Sequence, residues 1–228
     1  PWTLPSNLAL AVDPDFTYVK LQLFNSDKGY IVCEDLLETT LKLLKVSEHT
    51  VLEKLKGHQL EGLKYEPLFP YFESFAEKGC FQIYCADFVT KETGTGVVHC
   101  APYGEEDFNL FVKHKLVSTE SPPDALDENG KFTSLVPELE GVLFSESNKK
   151  IQKLLKEKNR LLHSGVHVHS YPYCWRSDTP LIYRPVSSWF IEVESLKQDL
   201  LKNNTKATWI PKFVQEKRFH NWLEDAKD

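Results

Sequence analysis

Residues 94–107 read GTGVVHCAPYGEED, a short apolar run followed by a turn and three acidic residues. Val97 to Cys100 has the character of a strand, and the Ala-Pro-Tyr-Gly sequence that follows bends the chain. The acidic residues 105–107 lie where negative charge stabilises a helix N-terminus, and apolar side chains then recur at helical spacing up to Leu116. The two glycines at 94 and 96 fit a tight hairpin turn, because a dinucleotide site needs a third glycine and a following helix. This stretch therefore predicts a strand over 96–100 and a helix over 104–116.

Strand and helix patterns alternate on both sides of this stretch. Alternating or β-rich runs predict strands within 7–24, where 16–24 is the β-rich part, and over 30–33, 51–60 and 80–89. Apolar residues at helical spacing predict helices over 34–45, 146–162, 193–203 and 211–226. The alternation lacks the regular rhythm of a doubly wound sheet. The predicted fold class is therefore α+β, or a barrel-like domain with flanking helices.

The composition of the chain excludes several classes of protein. With 228 residues, 41% hydrophobic and 26% charged, the chain can bury a core and is typical of a soluble globular protein. No window is apolar enough for a membrane span or a secretory signal, so no membrane partner is expected. The net charge of −6 argues against a general electrostatic binder of nucleic acid.

Cysteine and methionine usage bear on the origin of the chain. The five cysteines form no C-x-x-C pair, which predicts reduced thiols in the cytosol. Methionine is absent, which suggests a piece excised from a longer protein. We expect residues 1–228 to form a single domain, with the polar, turn-rich residues 118–131 as a loop or insertion.

His99 and Asp107 are the strongest candidates for chemistry. A histidine at the end of a strand and a carboxylate at the start of the next helix can face one cavity. The carboxylate would bind a cationic group, and the imidazole would orient an ester or a water molecule. A helix-capping aspartate and an ordinary half-buried histidine are the competing interpretation.

Two other motifs carry weaker signals. The sequence His167-Val168-His169 followed by Cys174 resembles a set of metal ligands, but no fourth ligand follows, so no metal site is expected. No local signature would activate Cys33 or Cys100 as a nucleophile. The tryptophans other than Trp2 are expected to pack in the core or between domains.

A basic helix face is the remaining candidate. Residues 149–160 contain six basic residues and one acidic residue, and Lys149, Lys150 and Lys153 lie in its first half. Such a face can contact phosphates, although a solvated surface is the alternative.

Four segments together resemble the editing insertion of isoleucyl-tRNA synthetase. Because they are distributed from residue 1 to residue 228, the resemblance covers nearly the whole chain. The segments are PWTLPSN (1–7), GTGVVHCAP (94–102), YPYCWR (171–176) and RFHNWLEDAKD (218–228). The form of the Ala-Pro-Tyr-Gly turn is more similar to eukaryotic cytosolic members than to bacterial ones. The resemblance implies a β-barrel-like editing domain of the class I synthetases for valine, isoleucine and leucine.

The resemblance also implies a reaction and its residues. The insertion hydrolyses the ester of valine that was wrongly attached to isoleucine tRNA. The resemblance assigns two catalytic-site residues: Asp107 would bind the substrate α-ammonium, and His99 would form the wall that excludes isoleucine. Trp2 and Asn7 fall in the segment that lines the pocket near the terminal adenosine. Thr3 is what remains here of the family's threonine-rich peptide, most of which precedes Pro1.

Partners and cofactors follow from the same resemblance. The expected partners are the 3′ end of tRNA(Ile) carrying valine, which Lys149, Lys150 and Lys153 would contact, and the catalytic core of the parent enzyme. Residues 186–228 would form a helical return toward that core, in a cytoplasmic monomer. Editing needs no cofactor, and ATP and Mg²⁺ would serve only a synthetic domain, of which no HIGH or KMSKS motif is present here. The alternatives are a non-catalytic module that binds the tRNA 3′ end, the editing domain of a valyl-tRNA synthetase, and a structural insertion.

Overall fold

The computed structural model describes two compact units, Pro1–Pro185 and Val186–Asp228. The described residues are 1–24, 27–92, 94–166, 168, 170–186 and 188–227. Strands are β1 (Ala9–Val12), β2 (Thr17–Leu23), β3 (Gly29–Cys33), β4 (His49–Lys56), β5 (Ile83–Cys85) and β6 (Val97–Cys100). Helices are α1 (Leu37–Leu44), α2 (Gly57–Leu60), α3 (Glu105–Lys113), α4 (Asn148–Glu157), α5 (Val193–Lys206) and α6 (His220–Glu224).

A three-stranded sheet with the order β5-β1-β6 lies at the centre of the larger cluster of buried side chains. Strand β1 pairs in parallel with β5 and antiparallel with β6. The β1–β6 register places Leu10 opposite His99 and Ala9 opposite Cys100. Helices α3 and α4 add Phe111 and Ile151 to the same core, and both side chains are fully buried. The end of β6 is thereby fixed between a rigid strand and a packed interior.

The second sheet has the order β3-β2-β4, with both pairings antiparallel. Its buried face carries Tyr18, whose hydroxyl donates to the Gly96 carbonyl oxygen at 2.7 Å. Gly96 has a φ of +74°, and a Cβ there would lie 2.4 Å from the Cβ of Cys33. A residue with a side chain would therefore push the second sheet away from the entry to β6.

The α+β fold class is confirmed, although several predicted elements end elsewhere. In the described residues the strands form two separate small sheets rather than a closed barrel. The predicted strand 51–60 is wrong at its end, because the chain turns into α2 after Lys56. Gln59 Oε1 accepts from the Lys56 amide at 2.7 Å and stabilises that turn. The predicted strand 80–89 contracts to β5, since Phe81 has a φ of 61° and leaves the extended conformation.

Helix boundaries differ for similar local reasons. The predicted helix 146–162 ends at Glu157, because Asn159 adopts a left-handed φ of 53° and the Arg160 amide donates back to Leu155 at 2.9 Å. In place of the predicted helix 34–45, a 3₁₀ turn precedes α1, which ends at Leu44. The predicted helix 104–116 corresponds to α3, and Lys115 has a φ of 56° just beyond its end.

The C-terminal unit is helical, as the sequence patterns indicate. Helix α5 runs three residues further than the predicted 193–203, and the predicted helix 211–226 divides into a π-helical turn, Val214–Phe219, and α6. Asn204 is buried and accepts from the Trp209 indole at 3.1 Å, while its own amide donates to the Gln215 carbonyl oxygen at 3.1 Å. These bonds hold the end of α5 against the segment that follows it.

Of the four tryptophans expected to pack in the core or between domains, Trp209 is half-buried and three are exposed. Trp175, Trp189 and Trp222 are 87%, 102% and 67% exposed. None of these three rings therefore contributes to the core of the unit that contains it. Among the described residues, no helix combines the length and apolar character that crossing a bilayer requires.

Candidate active site at the end of strand β6

A cavity of about 280 Å³ opens beside the end of β6. Polar and apolar side chains share its wall: Thr3, Leu4, His99, Gln152, Leu155 and Leu161. The apolar residues come from the N-terminal segment, from α4 and from the chain after α4. Pro1, His163, Ser164 and Gly165 complete the lining, and apolar walls combined with placed polar groups are typical of a small-molecule site.

His99 supplies an imidazole to this cavity. The pairing of β6 with β1 fixes its backbone, and each ring nitrogen contacts a polar side chain. Nδ1 lies 2.8 Å from Asn7 Nδ2, and Nε2 lies 3.1 Å from Thr3 Oγ1. Burial lowers the pKa of His99 to about 4, with a contribution from the positive N-terminus. The imidazole is therefore neutral at pH 7.

Asn7 lies behind His99 as part of a buried polar network. It is 7% exposed, and its Nδ2 donates to the Ala9 carbonyl oxygen at 2.9 Å. The Tyr65 hydroxyl donates to Asn7 Oδ1 at 2.5 Å. Asn7 thus supports the histidine and is not among the residues that line the cavity.

Asp107 lies on the other side of the β6 end. As a residue of the first turn of α3, it accepts a hydrogen bond from the Ala101 amide at 3.1 Å and lies beside the Cys100 thiol. Burial raises the pKa of Asp107 to about 6, and the Ala101 amide opposes that rise. About nine-tenths of this carboxyl group is ionised at pH 7. Within the described chain, Asp107 is not one of the cavity-lining residues.

Trp2 packs away from the cavity. Its ring lies 4.9 Å from the ring of Tyr103 and 5.0 Å from that of Phe144, in tilted and edge-to-face arrangements. Its backbone amide donates to Asn148 Oδ1 at 3.0 Å, at the first residue of α4. Trp2 therefore holds the N-terminal segment, including Thr3, against α4.

The predicted basic residues lie on the same helix as part of the cavity wall. Gln152 and Leu155 of α4 line the cavity, and Lys149, Lys150 and Lys153 occupy the exposed side of that helix. Lys153 is 3.8 Å from Glu157, an exposed pair of small energetic value. A positively charged surface therefore accompanies the cavity along α4.

Several contributors were absent from the sequence-based site. Tyr65 lies in a segment without a local motif, so no signal in the sequence connects it with Asn7. Gln152 and Leu155 are spaced by about one helical turn, which indicates that they share a helix face. The spacing does not show which residues that face contacts. Of the predicted residues, the structure joins Thr3, Asn7 and His99 by hydrogen bonds.

The candidate metal motif and the two cysteines considered as nucleophiles have different outcomes. His167 and His169 of the candidate metal motif lie outside the described residues. Elsewhere in the described chain, no group of three histidine, cysteine or acidic side chains is placed to hold a metal ion. Cys33 and Cys100 are buried, and burial raises the pKa of Cys100, which disfavours its thiolate.

Comparison with known proteins identifies the family. The family model for class I tRNA synthetases of the I, L, M and V group matches residues 17–228. This chain belongs to that family. It is 50% identical to an isoleucine–tRNA ligase of Tetrahymena thermophila and 45% identical to a cytoplasmic isoleucine–tRNA ligase of Saccharomyces cerevisiae, over its whole length in both cases. The resemblance to isoleucyl-tRNA synthetases is thus confirmed.

The matched relatives are much longer proteins. The chain covers 21% of the Tetrahymena synthetase and 22% of the yeast one, about a fifth of each. Among solved structures, GlLeuRS-CP1 matches with a TM-score of 0.53 and 15% identity, over 73% of this chain and 82% of that one. The cytosolic leucyl-tRNA synthetase editing domain of P. knowlesi matches with a TM-score of 0.51 and 15% identity, over 72% and 81%. The fold is therefore that of class I synthetase editing domains.

Proposed function

We propose that this chain is the editing domain of an isoleucyl-tRNA synthetase and hydrolyses the aminoacyl ester of Val-tRNA(Ile). The observation that carries the proposal is the cavity at the end of β6, which combines apolar walls with a neutral imidazole and a hydroxyl. Family membership and the editing-domain fold supply the context.

Selection of isoleucine over valine requires a second site in addition to the synthetic one. One methylene in an apolar pocket is worth about 1 to 3 kcal/mol, so a synthetic site alone admits valine too often; this enzyme class is the standard example. A second site that accepts valine and excludes isoleucine reverses the problem. Leu4, Leu155 and Leu161 supply apolar walls, and His99 would set the size limit beside Thr3.

The chemistry is hydrolysis of an ester. Water adds to the carbonyl carbon, the bond to the ribose oxygen breaks, and that oxygen takes a proton as valine leaves. The family resemblance, and not the cavity, assigns Asp107 to the α-ammonium: Asp107 does not line the cavity of His99 and Thr3, so the substrate would extend past the end of β6 to reach it. Ionised at neutral pH, Asp107 would bind that cation, and a bound cation keeps the ester carbonyl electron-poor. His99 and Thr3 contribute neutral polar groups at the cavity wall. We propose that no resident cofactor takes part.

The proposal extends to the partners. The exposed lysines of α4 would contact phosphates of the tRNA 3′ end, and residues 186–228 would lead back to the catalytic core. The names of the yeast and other relatives place those enzymes in the cytoplasm, and we propose the same location for this chain, as a monomer.

Deacylation assays test the proposal directly. Val-tRNA(Ile) and Ile-tRNA(Ile) are incubated with this chain and with a version extended upstream of Pro1, and release of the amino acid is followed. The proposal expects faster release of valine than of isoleucine by at least one of the two. Equal release of both amino acids, or none by either protein, would contradict it.

A second candidate function is a recognition module that binds the tRNA 3′ end without turnover. The basic face of α4 beside the cavity favours it. Salt-sensitive binding of tRNA(Ile) with no hydrolysis in either protein would support this candidate.

A further inference from the structure

A hydrogen-bond network lies behind the cavity, and only its catalytic consequence rests on the proposed function. Tyr65, Asn7, His99 and Thr3 form a continuous chain of contacts, with distances of 2.5, 2.8 and 3.1 Å. Tyr65 lies 34 positions before His99, and its hydroxyl reaches the histidine through Asn7.

The orientation of the Asn7 amide follows from its neighbours. The Ala9 carbonyl oxygen can only accept a hydrogen bond, so the atom 2.9 Å from it must be the amide nitrogen of Asn7. The amide oxygen then faces the Tyr65 hydroxyl, which must donate. Both ends of the amide are anchored, and its plane is fixed.

The fixed amide determines the proton position on His99. Asn7 Nδ2 lies 2.9 Å from the Ala9 carbonyl oxygen and 2.8 Å from His99 Nδ1, but 3.5 Å from the Cys100 carbonyl oxygen, so its two N–H bonds are directed at the two nearer atoms. Because Asn7 donates there, Nδ1 must be an unprotonated acceptor, and the ring proton of the neutral histidine lies on Nε2. Nε2 then donates to Thr3 Oγ1.

The direction of donation is the same at every step. Each group donates toward the cavity: the Tyr65 hydroxyl to Asn7, the Asn7 amide to His99, and the His99 imidazole to Thr3. Since Thr3 Oγ1 accepts from His99, its own proton is directed elsewhere, and Thr3 lines the cavity. Aligned hydrogen bonds polarise one another and strengthen the last donor.

We propose that Tyr65 is a positioning residue, which holds His99 through Asn7 as the Nε2–H tautomer and so presents the Thr3 hydroxyl to the cavity as a hydrogen-bond donor. His99 is then a directional donor in the free protein and not a general base. A donor at this position would face the ester carbonyl oxygen, where negative charge develops during hydrolysis.

Nitrogen NMR of the His99 ring tests the proposal without requiring hydrolysis. In the unsubstituted chain at pH 7, we expect an Nδ1 signal in the unprotonated range and an Nε2 signal in the protonated range. In Tyr65→Phe, one anchor of the Asn7 amide is lost, and the two signals should move toward each other as the tautomers mix. Tyr84→Phe is the matched control, since it deletes a hydroxyl that donates to the Gly79 carbonyl oxygen at 2.7 Å, outside the network.

The outcomes separate this proposal from the proposed function. An Nδ1–H tautomer or a charged imidazole in the unsubstituted chain overturns the positioning role, and so does an unchanged spectrum in Tyr65→Phe. If Tyr65→Phe fails to fold, the spectrum of the unsubstituted chain still tests the predicted His99 tautomer. In the deacylation assay, Tyr65→Phe should lower kcat about 10-fold, the loss of one hydrogen-bond donor, with little change in KM. Absence of hydrolysis with the expected tautomer would contradict the function and leave the positioning role standing.

Discussion

His99 and Asp107, on the two sides of the β6 end, have different surroundings, and their pKa values shift in opposite directions. On one side, His99 is embedded among neutral donors and acceptors, and burial lowers its pKa to about 4. On the other side, Asp107 lies beside a buried thiol and one backbone amide, and burial raises its pKa to about 6. The same physical cause, removal from water, acts on a base and an acid in opposite directions.

The difference assigns complementary tasks to the two sides. His99 itself is uncharged at pH 7 and provides shape and directional hydrogen bonds. Asp107 retains most of its negative charge at pH 7, but it becomes protonated when the pH falls below about 6. Recognition of an α-ammonium would therefore fail in acid before the shape of the cavity changes.

The largest effect is expected from removing the charge on the aspartate side. Asp107→Ala should lower kcat/KM for Val-tRNA(Ile) about 100-fold, because a charge-assisted contact with the ammonium is lost. The exposed neighbour Glu106 offers a matched control, and Glu106→Gln should change the rate by less than about 2-fold. Comparable losses in both variants would show that general negative charge, not Asp107, serves the substrate.

Acid titration should shift stability in opposite senses on the two sides. The pKa of Asp107 is raised by folding, so its ionisation destabilises the fold above pH 6, and this penalty vanishes as the pH falls to about 4. The pKa of His99 is lowered, so its penalty is absent above pH 6.5 and is complete near pH 4. Relative to the unsubstituted chain, Asp107→Asn should gain about 2 kcal/mol at pH 7 and none near pH 4.

The matching variant on the histidine side is His99→Gln. Its unfolding free energy relative to the unsubstituted chain should rise by about 2 kcal/mol between pH 7 and pH 4. Urea unfolding at several pH values measures both differences. If the unfolding free energies of the two variants changed with pH in the same way, the predicted contrast between Asp107 and His99 would be wrong.

The histidine side should control the size of the amino acid that enters. His99→Ala enlarges the cavity, so hydrolysis of Ile-tRNA(Ile) should rise about 10-fold relative to Val-tRNA(Ile), the value of roughly one methylene. His58 is an exposed histidine away from the cavity, and His58→Ala should leave the ratio unchanged. An unaltered ratio in His99→Ala would place the size limit elsewhere.

The smallest effect is expected on the basic surface outside both sides. Changing Lys149, Lys150 and Lys153 to glutamine should weaken tRNA binding about 5-fold and reduce the slope of log affinity against log salt by about two. Filter binding at several salt concentrations measures both quantities. The same change at the exposed residues Lys20, Lys42 and Lys45 removes equal charge and should have a smaller effect on the slope. Equal effects would indicate nonspecific attraction.

The local part of the site could be predicted from the sequence. Val97–Cys100 and Glu105–Lys113 form the predicted strand and helix, because apolar runs, a proline-containing turn and acidic residues act within a few positions. The chain turns between them as expected, with the Asp107 carboxylate bonded to the Ala101 amide. Signals of this kind act between residues that are close in the sequence, so they can be recognised without knowing the fold.

The non-local part could not be predicted in this way. Tyr65 meets Asn7 across 58 positions, and Trp2 meets Asn148 across 146. No spacing rule covers such distances, since they depend on how β1, β6 and α4 pack. The predicted end of α4 was wrong for a different reason: Asn159 takes a left-handed conformation that is uncommon for a residue other than glycine.

Binding of a hydrolysis-resistant analogue tests the central claim most directly. An amide analogue of 3′-valyl-adenosine is added to the chain, and the ring signals of His99, the methyl signal of Thr3 and the carboxyl signal of Asp107 are followed by NMR. The account predicts saturable shifts of all three groups with the valyl analogue and much weaker binding of the isoleucyl analogue. Shifts confined to other parts of the chain, or equal binding of both analogues, would contradict it.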